Sequence, residues 1–287
     1  MPLVKDDRGD AFLYWEPSLP ADAGEIDQKT MGISNVPLTP MGIAFILKEP
    51  GKAGGKAADD VTRMFPRDGS AGEAGYGAPF DSLNVAYNHD WWTCIRDEGR
   101  RKRHVNACCT ESGASRYRGR CTTYRNYFLG LCRLVSSADR SISCPDGPSS
   151  LRGIYYANPY YPSEPSAVGS TSESAESSGM DGTERAARVL GLIRWMRRDS
   201  EEKREAGGVA LRYVFLHKVA YDALRESLGQ PGDLPCLVYI RRGKQKLLRA
   251  FWLEDLGVWV ISCYHPQGSH YGISLSEGNV AELAKRA

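Results

Sequence analysis

The chain has 287 residues, of which 41% are hydrophobic and 25% charged, and its formal net charge is +2. These values are typical of a globular protein with one large domain or two ordinary ones. They exclude a membrane span, since no apolar run approaches the roughly 18 residues that one needs. Eight cysteines without a secretory signal favour reduced thiols inside a cell over a disulfide framework. We therefore expect an intracellular protein without membrane contact, and the compartment (mitochondrion, nucleus or another) stays open.

Changes in composition divide the chain into five segments. They are a strand–helix unit at 1–50, a Gly/Ala-rich tether at 51–82, a basic segment rich in cysteine and aromatic residues at 83–162, a flexible linker at 163–182 and an α+β domain at 183–287. The tether and the linker hold few large apolar residues, so we expect the packed core to come from the other three segments.

In the N-terminal segment, the apolar runs at 11–16 and 31–34 predict short strands. The run at 39–48 predicts a capped helix. Thr39 is a suitable N-cap there, and Pro40 falls in the first turn, where its missing N–H costs nothing.

The segment after the linker begins with 183–198, whose pattern fits a helix and a strand about equally well. Residues 209–217 predict a strand, because β-branched and aromatic residues dominate them. Residues 219–228 predict a helix that Gly229 closes.

The last fifty residues hold four β-rich runs separated by Gly/Pro loops, which predict an antiparallel meander: 236–240, 247–253, 258–264 and 271–275. A helix should follow from the N-cap Ser276. In the third run, Trp259, Ile261 and Cys263 share one face, and we expect this face to meet Val280 and Leu283 of the helix. Strand-then-helix patterns also begin at residues 31 and 213, so a structural repeat is one interpretation.

This ββββα unit ends in Gly272-Ile-Ser-Leu-Ser276. It resembles one half of the Whirly fold and the related positive cofactor four coactivators, whose last strand and helix often read Lys-Gly-Ile-Ser-Leu. It is also similar in architecture to mitochondrial guide-RNA-binding proteins. The resemblance implies binding of single-stranded nucleic acid on a sheet surface.

A basic stretch lies between Arg96 and Arg133, with ten Lys or Arg against three acidic residues. Aromatic residues are interleaved with the charges. Cations neutralise phosphates while flat rings stack on unpaired bases, so the pattern favours single-stranded RNA or DNA. Two alternatives are a protein partner with an acidic face and a solvated loop flanked by core aromatics.

Two sets of candidate contacts follow. The first lies in the basic segment: Arg100, Arg101, Lys102, Arg103, Arg116, Tyr117, Arg118, Arg120, Tyr124 and Arg125. The second would surround an open sheet face as a stacking platform: Arg241, Arg242, Lys244, Lys246, Arg249 and Trp252.

The thiols raise the question of a metal. Cys94, His104, Cys108 and Cys121 could together supply tetrahedral zinc. No Cys-x-x-Cys pair is present, however, so ordinary free cysteines are the preferred interpretation, and we predict no cofactor.

Catalytic motifs are missing from the sequence, with no Gly-x-Ser-x-Gly and no His-Glu-x-x-His. The glycine cluster at 51–55 precedes Lys56, but it lacks the Ser or Thr and the preceding strand of a phosphate loop. Cys263 could pair with His265 or His270 as a nucleophile, although its place in a β run favours a buried thiol.

We therefore predict an α+β protein with antiparallel sheets, each followed by a helix, and long irregular insertions. Its predicted function is non-enzymatic nucleic-acid binding, RNA favoured, as a subunit of a larger ribonucleoprotein assembly with other proteins. The first alternative is a protein–protein scaffold in which the aromatic residues at 154–162 form an assembly contact. The second is a hydrolase or nuclease whose site forms only in the fold.

Overall fold

The computed structural model describes residues 3–5, 11–13, 33–47, 111–144, 147–157, 182–229, 234–241, 244–263, 271–275 and 283. These residues form three α-helices of ten residues or more: α1 (Glu111–Ala138), α2 (Gly182–Glu202) and α3 (Lys218–Ser227). Short 3-10 turns occupy Pro148–Gly153, Arg204–Ala206 and Glu254–Leu256.

The same part of the chain contains ten strands: β1 (Leu3–Lys5), β2 (Ala11–Leu13), β3 (Ile33–Asn35), β4 (Met41–Ile46), β5 (Tyr155–Ala157), β6 (Val209–His217), β7 (Leu234–Arg241), β8 (Lys244–Leu253), β9 (Val258–Cys263) and β10 (Tyr271–Leu275). Strands β1 and β2 pair with each other. The other eight form one sheet in the order β10-β7-β8-β9-β6-β4-β5-β3.

The large sheet is mixed. Its centre is parallel, because β9, β6, β4 and β5 pair in parallel register, whereas both ends are antiparallel. The predicted α+β class is confirmed, but the expectation of purely antiparallel sheets is wrong. The physical reason is burial on both faces, which suits parallel strands connected by helices.

Helices cover the two faces of the sheet. Helix α1 follows β4 and packs on the first face, where the Phe45 ring lies 4.8 Å from Phe215 and 4.6 Å from Phe128 of α1. Helices α2 and α3 pack on the second face, which buries residues such as Val214 and Val260. The two crossovers around β4 run in opposite directions along the sheet, β4 to β5 and then β5 to β6, so the sheet is doubly wound.

The predicted helix at 39–48 is wrong, because the segment forms strand β4 instead. Every residue from Gly42 to Leu47 is buried. A short apolar run looks the same in a central strand as in a buried helix, and the Thr39-Pro40 start resembled a helix cap. The first of the strand-then-helix patterns therefore ends in a second strand.

Several predicted elements are confirmed. The strand at 209–217 coincides with β6, and α3 falls within one residue of the predicted helix, with Gly229 after it at φ 72°. Residues 183–198 lie in α2, so the helical alternative is right and the strand alternative is wrong.

The faces of β9 are also as predicted. Trp259, Ile261 and Cys263 share one buried cluster with Leu283, and the Trp259 indole Nε1–H donates to the Leu283 carbonyl at 2.8 Å. Val280 lies outside the described residues.

The meander prediction holds for three strands. Strands β7, β8 and β9 pair in sequence, but β10 returns to the far edge of β7 rather than pairing with β9. After residue 275 the structure describes Leu283 alone, so a complete ββββα unit is not confirmed.

The aromatic residues at 154–162 do not form an outer surface where the structure describes them. Tyr155 and Tyr156 are at most 2% exposed within β5, so these two side chains are core residues, whereas residues 158–162 lie outside the described residues. Strands from the predicted segments 1–50, 83–162 and 183–287 all join the large sheet. The tether, and the linker up to residue 181, lie outside the described residues.

The backbone at Gly42, near the start of β4, is closely packed against its neighbours. Its φ is 77°, and an added Cβ would lie 2.8 Å from Ile142 Cδ1 and 2.9 Å from the Ala210 carbonyl. Gly257 also has a positive φ, 60°, but its Cβ would meet nothing closer than Trp252 at 4.0 Å. Gly257→Ala should therefore lower the free energy of unfolding by about 1–2 kcal/mol. Gly42→Ala should lower the free energy of unfolding by about 1–3 kcal/mol more than this, because its Cβ would also overpack the site.

Urea denaturation midpoints of the two variants check this. Equal midpoints would show that the neighbours of Gly42 yield without cost.

Candidate nucleic-acid interface

A solvent-open cleft of about 250 Å³ lies where the end of α2 meets the start of β6. Three guanidinium groups and one carboxylate provide the charged part of its wall. The lining residues are Arg197, Glu201, Arg204, Gly208, Val209, Ala210 and Arg212. We call this site the basic cleft.

A glycine pair shapes the floor of the cleft. Gly207 ends the 3-10 turn at φ 86°, and its N–H donates to the Arg204 carbonyl at 3.0 Å. The Gly208 N–H donates to the Lys203 carbonyl at 3.0 Å, and a Cβ on Gly208 would lie 2.8 Å from that oxygen. Glycine suits Gly207 because its φ is positive, and it suits Gly208 because that residue lies so close to another backbone, so the two allow the end of α2 to lie directly beside β6.

The α2 side of the cleft follows from helical spacing. Arg197 and Glu201 are four residues apart and so share one face of the helix. The Glu201 carboxylate bridges two cations, with Oε1 at 2.5 Å from Arg197 Nη2 and Oε2 at 3.2 Å from Arg204 Nη1. One negative charge therefore orders two of the three guanidinium groups.

Arg197 is held from a second direction, because its Nη1 donates to the Leu211 carbonyl of β6 at 2.7 Å. Burial lowers the pKa of Arg197, and the positive charges of Arg212 and Arg204 lower it further, against the opposing effect of Glu201. The cations in the cleft therefore repel one another. An additional anion would relieve this repulsion.

Arg212 forms the opposite wall and is fixed by the end of α1. Its Nη1 donates to Asp139 Oδ2 at 3.1 Å and to Ser141 Oγ at 2.9 Å. Asp139 also accepts hydrogen bonds from the Ser141 N–H at 2.9 Å, the Ser141 hydroxyl at 2.6 Å and the Tyr213 hydroxyl at 3.0 Å. Burial by itself raises the pKa of Asp139, but these hydrogen bonds together hold it below its ordinary value. The carboxylate therefore stays charged and keeps Arg212 in place.

Sequence reasoning missed this site. The stretch 185–204 carries seven Lys or Arg against three acids, but its basic character was overlooked beside the stronger run at 96–133. The spacing of Arg197, Glu201 and Arg204 at i, i+4 and i+7 was the available signal. Arg212 gave none, because its partner Asp139 lies 73 residues away in sequence.

The predicted contacts of the basic segment are described in part. Arg100, Arg101, Lys102 and Arg103 lie outside the described residues. Five others are positions of α1, of which the structure describes the backbone: Arg116, Tyr117, Arg118, Arg120 and Tyr124. Arg125 is buried, with 8% exposure, and the neighbouring Tyr127 and Phe128 belong to the core. Tyr127 and Phe128 are thus core aromatics, as one alternative expected, but the loop of that alternative is wrong where the structure describes the segment, because residues 111–138 form helix α1.

The predicted platform residues do not all share a surface. Trp252 is half-buried on the first face of the sheet, where its ring packs edge-to-face against Trp259 at 5.4 Å. Arg249 is exposed, and side chains alternate along a strand, so it lies on the opposite face of β8. Arg241, Lys244 and Lys246 are positions of β7 and β8, whereas Arg242 lies outside the described residues.

The thiol predictions have a similar outcome. Cys94, His104 and Cys108 lie outside the described residues, and Cys121 is a position of α1. Among the residues that the structure describes, no group of three or more His, Cys, Asp or Glu could hold a metal ion. Cys263 is fully buried, and burial raises its pKa, as expected for a core thiol rather than a nucleophile.

The glycine cluster at 51–55 differs from its prediction in one respect. Strand β4 ends at Ile46 and so supplies the preceding strand that appeared to be missing. The Ser or Thr of a phosphate loop is still not present after Lys56, and residues 48–56 lie outside the described residues.

In the part of the chain that the structure describes, no helix has both the length and the apolar character that crossing a membrane requires. Comparison with protein-family models, curated proteins and solved structures finds no significant match to this chain. Any function must therefore be argued from the chemistry of the site.

The Asp139 network gives a pH-dependent prediction. Asp139→Asn should lower the free energy of unfolding by about 1–3 kcal/mol at neutral pH, because it removes the charge that several donors share. A carboxylate whose folded-state pKa is lowered stabilises the fold above its unfolded pKa, near 3.9, and this contribution is lost as the pH falls through the lower folded-state value. The difference in free energy of unfolding between the wild type and Asp139→Asn should therefore persist down to about pH 4 and shrink below it.

Urea midpoints measured across this pH range test the idea. The control is Asp222→Asn, which removes an exposed ion pair with Lys218 and should have little effect. A difference between wild type and Asp139→Asn that does not vary with pH would contradict the explanation.

Proposed function

We propose that this protein binds single-stranded nucleic acid, RNA favoured, without catalysing a reaction, and that it does so as a subunit of a larger ribonucleoprotein assembly. The observation that carries the proposal is the basic cleft, in which three guanidinium groups surround an open volume of about 250 Å³. The basic segment identified from the sequence supports it independently.

Guanidinium groups suit phosphate because their planar fork of N–H donors matches two phosphate oxygens at once. Arg204 is the best placed of the three, with a side chain that is 65% exposed and an ion pair to Glu201 at 3.2 Å. Arg212 is 33% exposed and is oriented by Asp139. Both would face a phosphate without first losing a buried interaction.

Helix α1 extends from the basic segment to the basic cleft. Its N-terminal half contains the positions of Arg116, Arg118 and Arg120, and the residue after its last turn, Asp139, holds Arg212. From Arg116 to the end of the helix is roughly 33 Å at 1.5 Å per residue. A nucleic-acid strand that follows α1 would reach both regions.

We also infer that the four C-terminal strands and the residues around Leu283 form a ββββα unit of the kind the sequence resemblance implies. The antiparallel order β10-β7-β8-β9 supports this, as does the helical assignment of Leu283 against Trp259. Exposed surfaces outside the cleft would then serve contacts with other protein subunits.

Arg204→Gln tests the cleft. If Arg204 neutralises one phosphate, the variant should bind a labelled oligouridylate more weakly, and the slope of log affinity against log salt should become shallower by about 0.7. Fluorescence anisotropy over a series of salt concentrations measures both quantities.

Lys218→Gln is the matched control, since it removes an exposed cation that pairs with Asp222 outside the cleft. Equal slopes for the two variants would exclude a phosphate contact by Arg204.

Charge reversal of Arg100, Arg101 and Arg103 tests the basic segment. The triple variant should also flatten the salt dependence, and by more than Arg204→Gln does, because three cations change sign. Wild-type protein that binds no single strand even at low salt would overturn the proposed function and favour a partner protein with an acidic face.

A further inference from the structure

Leu38 is a large apolar side chain that stays exposed beside the basic cleft. Among the residues that the structure describes, the large hydrophobic side chains on the surface are Leu38 and Leu228, which are 50% and 38% exposed. Leu38 lies in the short connection between β3 and β4, whereas Leu228 follows the end of α3. A single exposed leucine is ordinary, so the position of Leu38 is what distinguishes it.

The connection between β3 and β4 adjoins the floor of the cleft. The carbonyl of its last residue, Pro40, accepts a hydrogen bond from the Val209 N–H at 2.7 Å. The Pro40 ring packs against Gly208, where an added Cβ would lie 2.7 Å from Pro40 Cδ. Gly208 and Val209 both line the cleft. Because Leu38 is two residues from Pro40, its Cα lies at most about 7 Å from the Pro40 Cα.

This connection is also held in one conformation. Pro37 and Pro40 are buried, and each ring fixes its own φ. The Lys203 Nζ donates to the Pro37 carbonyl at 3.0 Å, which ties the connection to the end of α2. Leu38 and Thr39 are therefore exposed at a fixed place. A ligand that packs on them would not first have to order the backbone.

We propose that Leu38 and Thr39 form a nucleobase contact next to the basic cleft, on which one base of the bound single strand packs. This inference rests on the proposed function, since it takes the cleft as the site of a phosphate. A base is one sugar away from its phosphate. A strand with a phosphate in the cleft therefore brings a base over the adjoining surface.

The chemistry of the two side chains suits a base. Base faces are flat and largely apolar, and leucine is among the side chains that proteins insert between base steps. Packing on a base would remove the exposed half of Leu38 from water. The Thr39 hydroxyl can donate to a base edge or accept from it. Phosphate contacts carry no sequence information, so these two residues would supply the base contact that the guanidinium groups do not.

Leu38→Ala tests the base contact. The variant should bind a labelled oligouridylate about 3- to 10-fold more weakly at every salt concentration, because it loses apolar burial. The slope of log affinity against log salt should stay at its wild-type value, because no cation is lost. Fluorescence anisotropy measures both quantities. The urea midpoint should not change, because the side chain is exposed.

Two controls isolate the base. Leu228→Ala removes the other exposed leucine, which is not part of the connection before β4, and this variant should bind like the wild type. An abasic strand of the same length presents phosphates without bases. Wild type and Leu38→Ala should bind the abasic strand equally well.

Four outcomes would overturn the base contact: wild-type affinity of Leu38→Ala for oligouridylate, a loss that Leu228→Ala shares, a loss that persists with the abasic strand, or a flatter salt slope. Each of these leaves the proposed function intact as long as Arg204→Gln flattens the salt dependence. Wild-type protein that binds no single strand at low salt would overturn the proposed function itself, and the base contact with it.

Discussion

The fold depends on burying the parallel centre of the sheet from both sides. Strands β4 and β6 lie between α1 on one face and α2 with α3 on the other, and Phe45 and Phe215 stack at their junction. Both faces are apolar, so neither layer of helices can be removed without exposing a hydrophobic surface. The doubly wound order achieves this coverage, because the crossovers from β4 to β5 and from β5 to β6 run in opposite directions along the sheet and so place their helices on opposite faces.

Local sequence patterns predicted those elements whose own residues strongly favour one type of secondary structure. Strands β6 and β9 were found because β-branched and aromatic residues dominate them. Strand β4 alternates between the same two cores, but its run also contains Met, Gly and Ala and follows Thr39-Pro40, so it was mistaken for a helix. Its parallel pairing with β6 depends on residues far apart in sequence, as does the contact between Arg212 and Asp139 in the basic cleft. No local pattern contains that information.

The position of the basic cleft is unusual for such a sheet. It opens at the amino ends of β4 and β6, where Met41 pairs with Val209, whereas doubly wound sheets ordinarily bind ligands at the carboxyl ends of their strands. The connection that leaves the carboxyl end of β4 is the one that contains Arg100 and Arg101. Basic residues therefore follow or line both the amino and the carboxyl ends of the central strands. Helix α1 is connected to both groups, because it follows the segment with Arg100 and Arg101 and its end supports Arg212.

Asp139 joins the cleft to the core, and this affects how variants are interpreted. Arg212 and Tyr213 are neighbours on β6, yet the first reaches the cleft and the second lies in the core, and both donate to the same carboxylate. A change at Arg212 therefore disturbs a buried acceptor as well as a cation, so weaker binding and lower stability would appear together. Among the described residues, the Arg204 side chain pairs with Glu201 alone, near the surface at 3.2 Å, so its removal leaves the core intact. A loss of affinity at Arg204 is thus the cleaner measure of what the cleft binds.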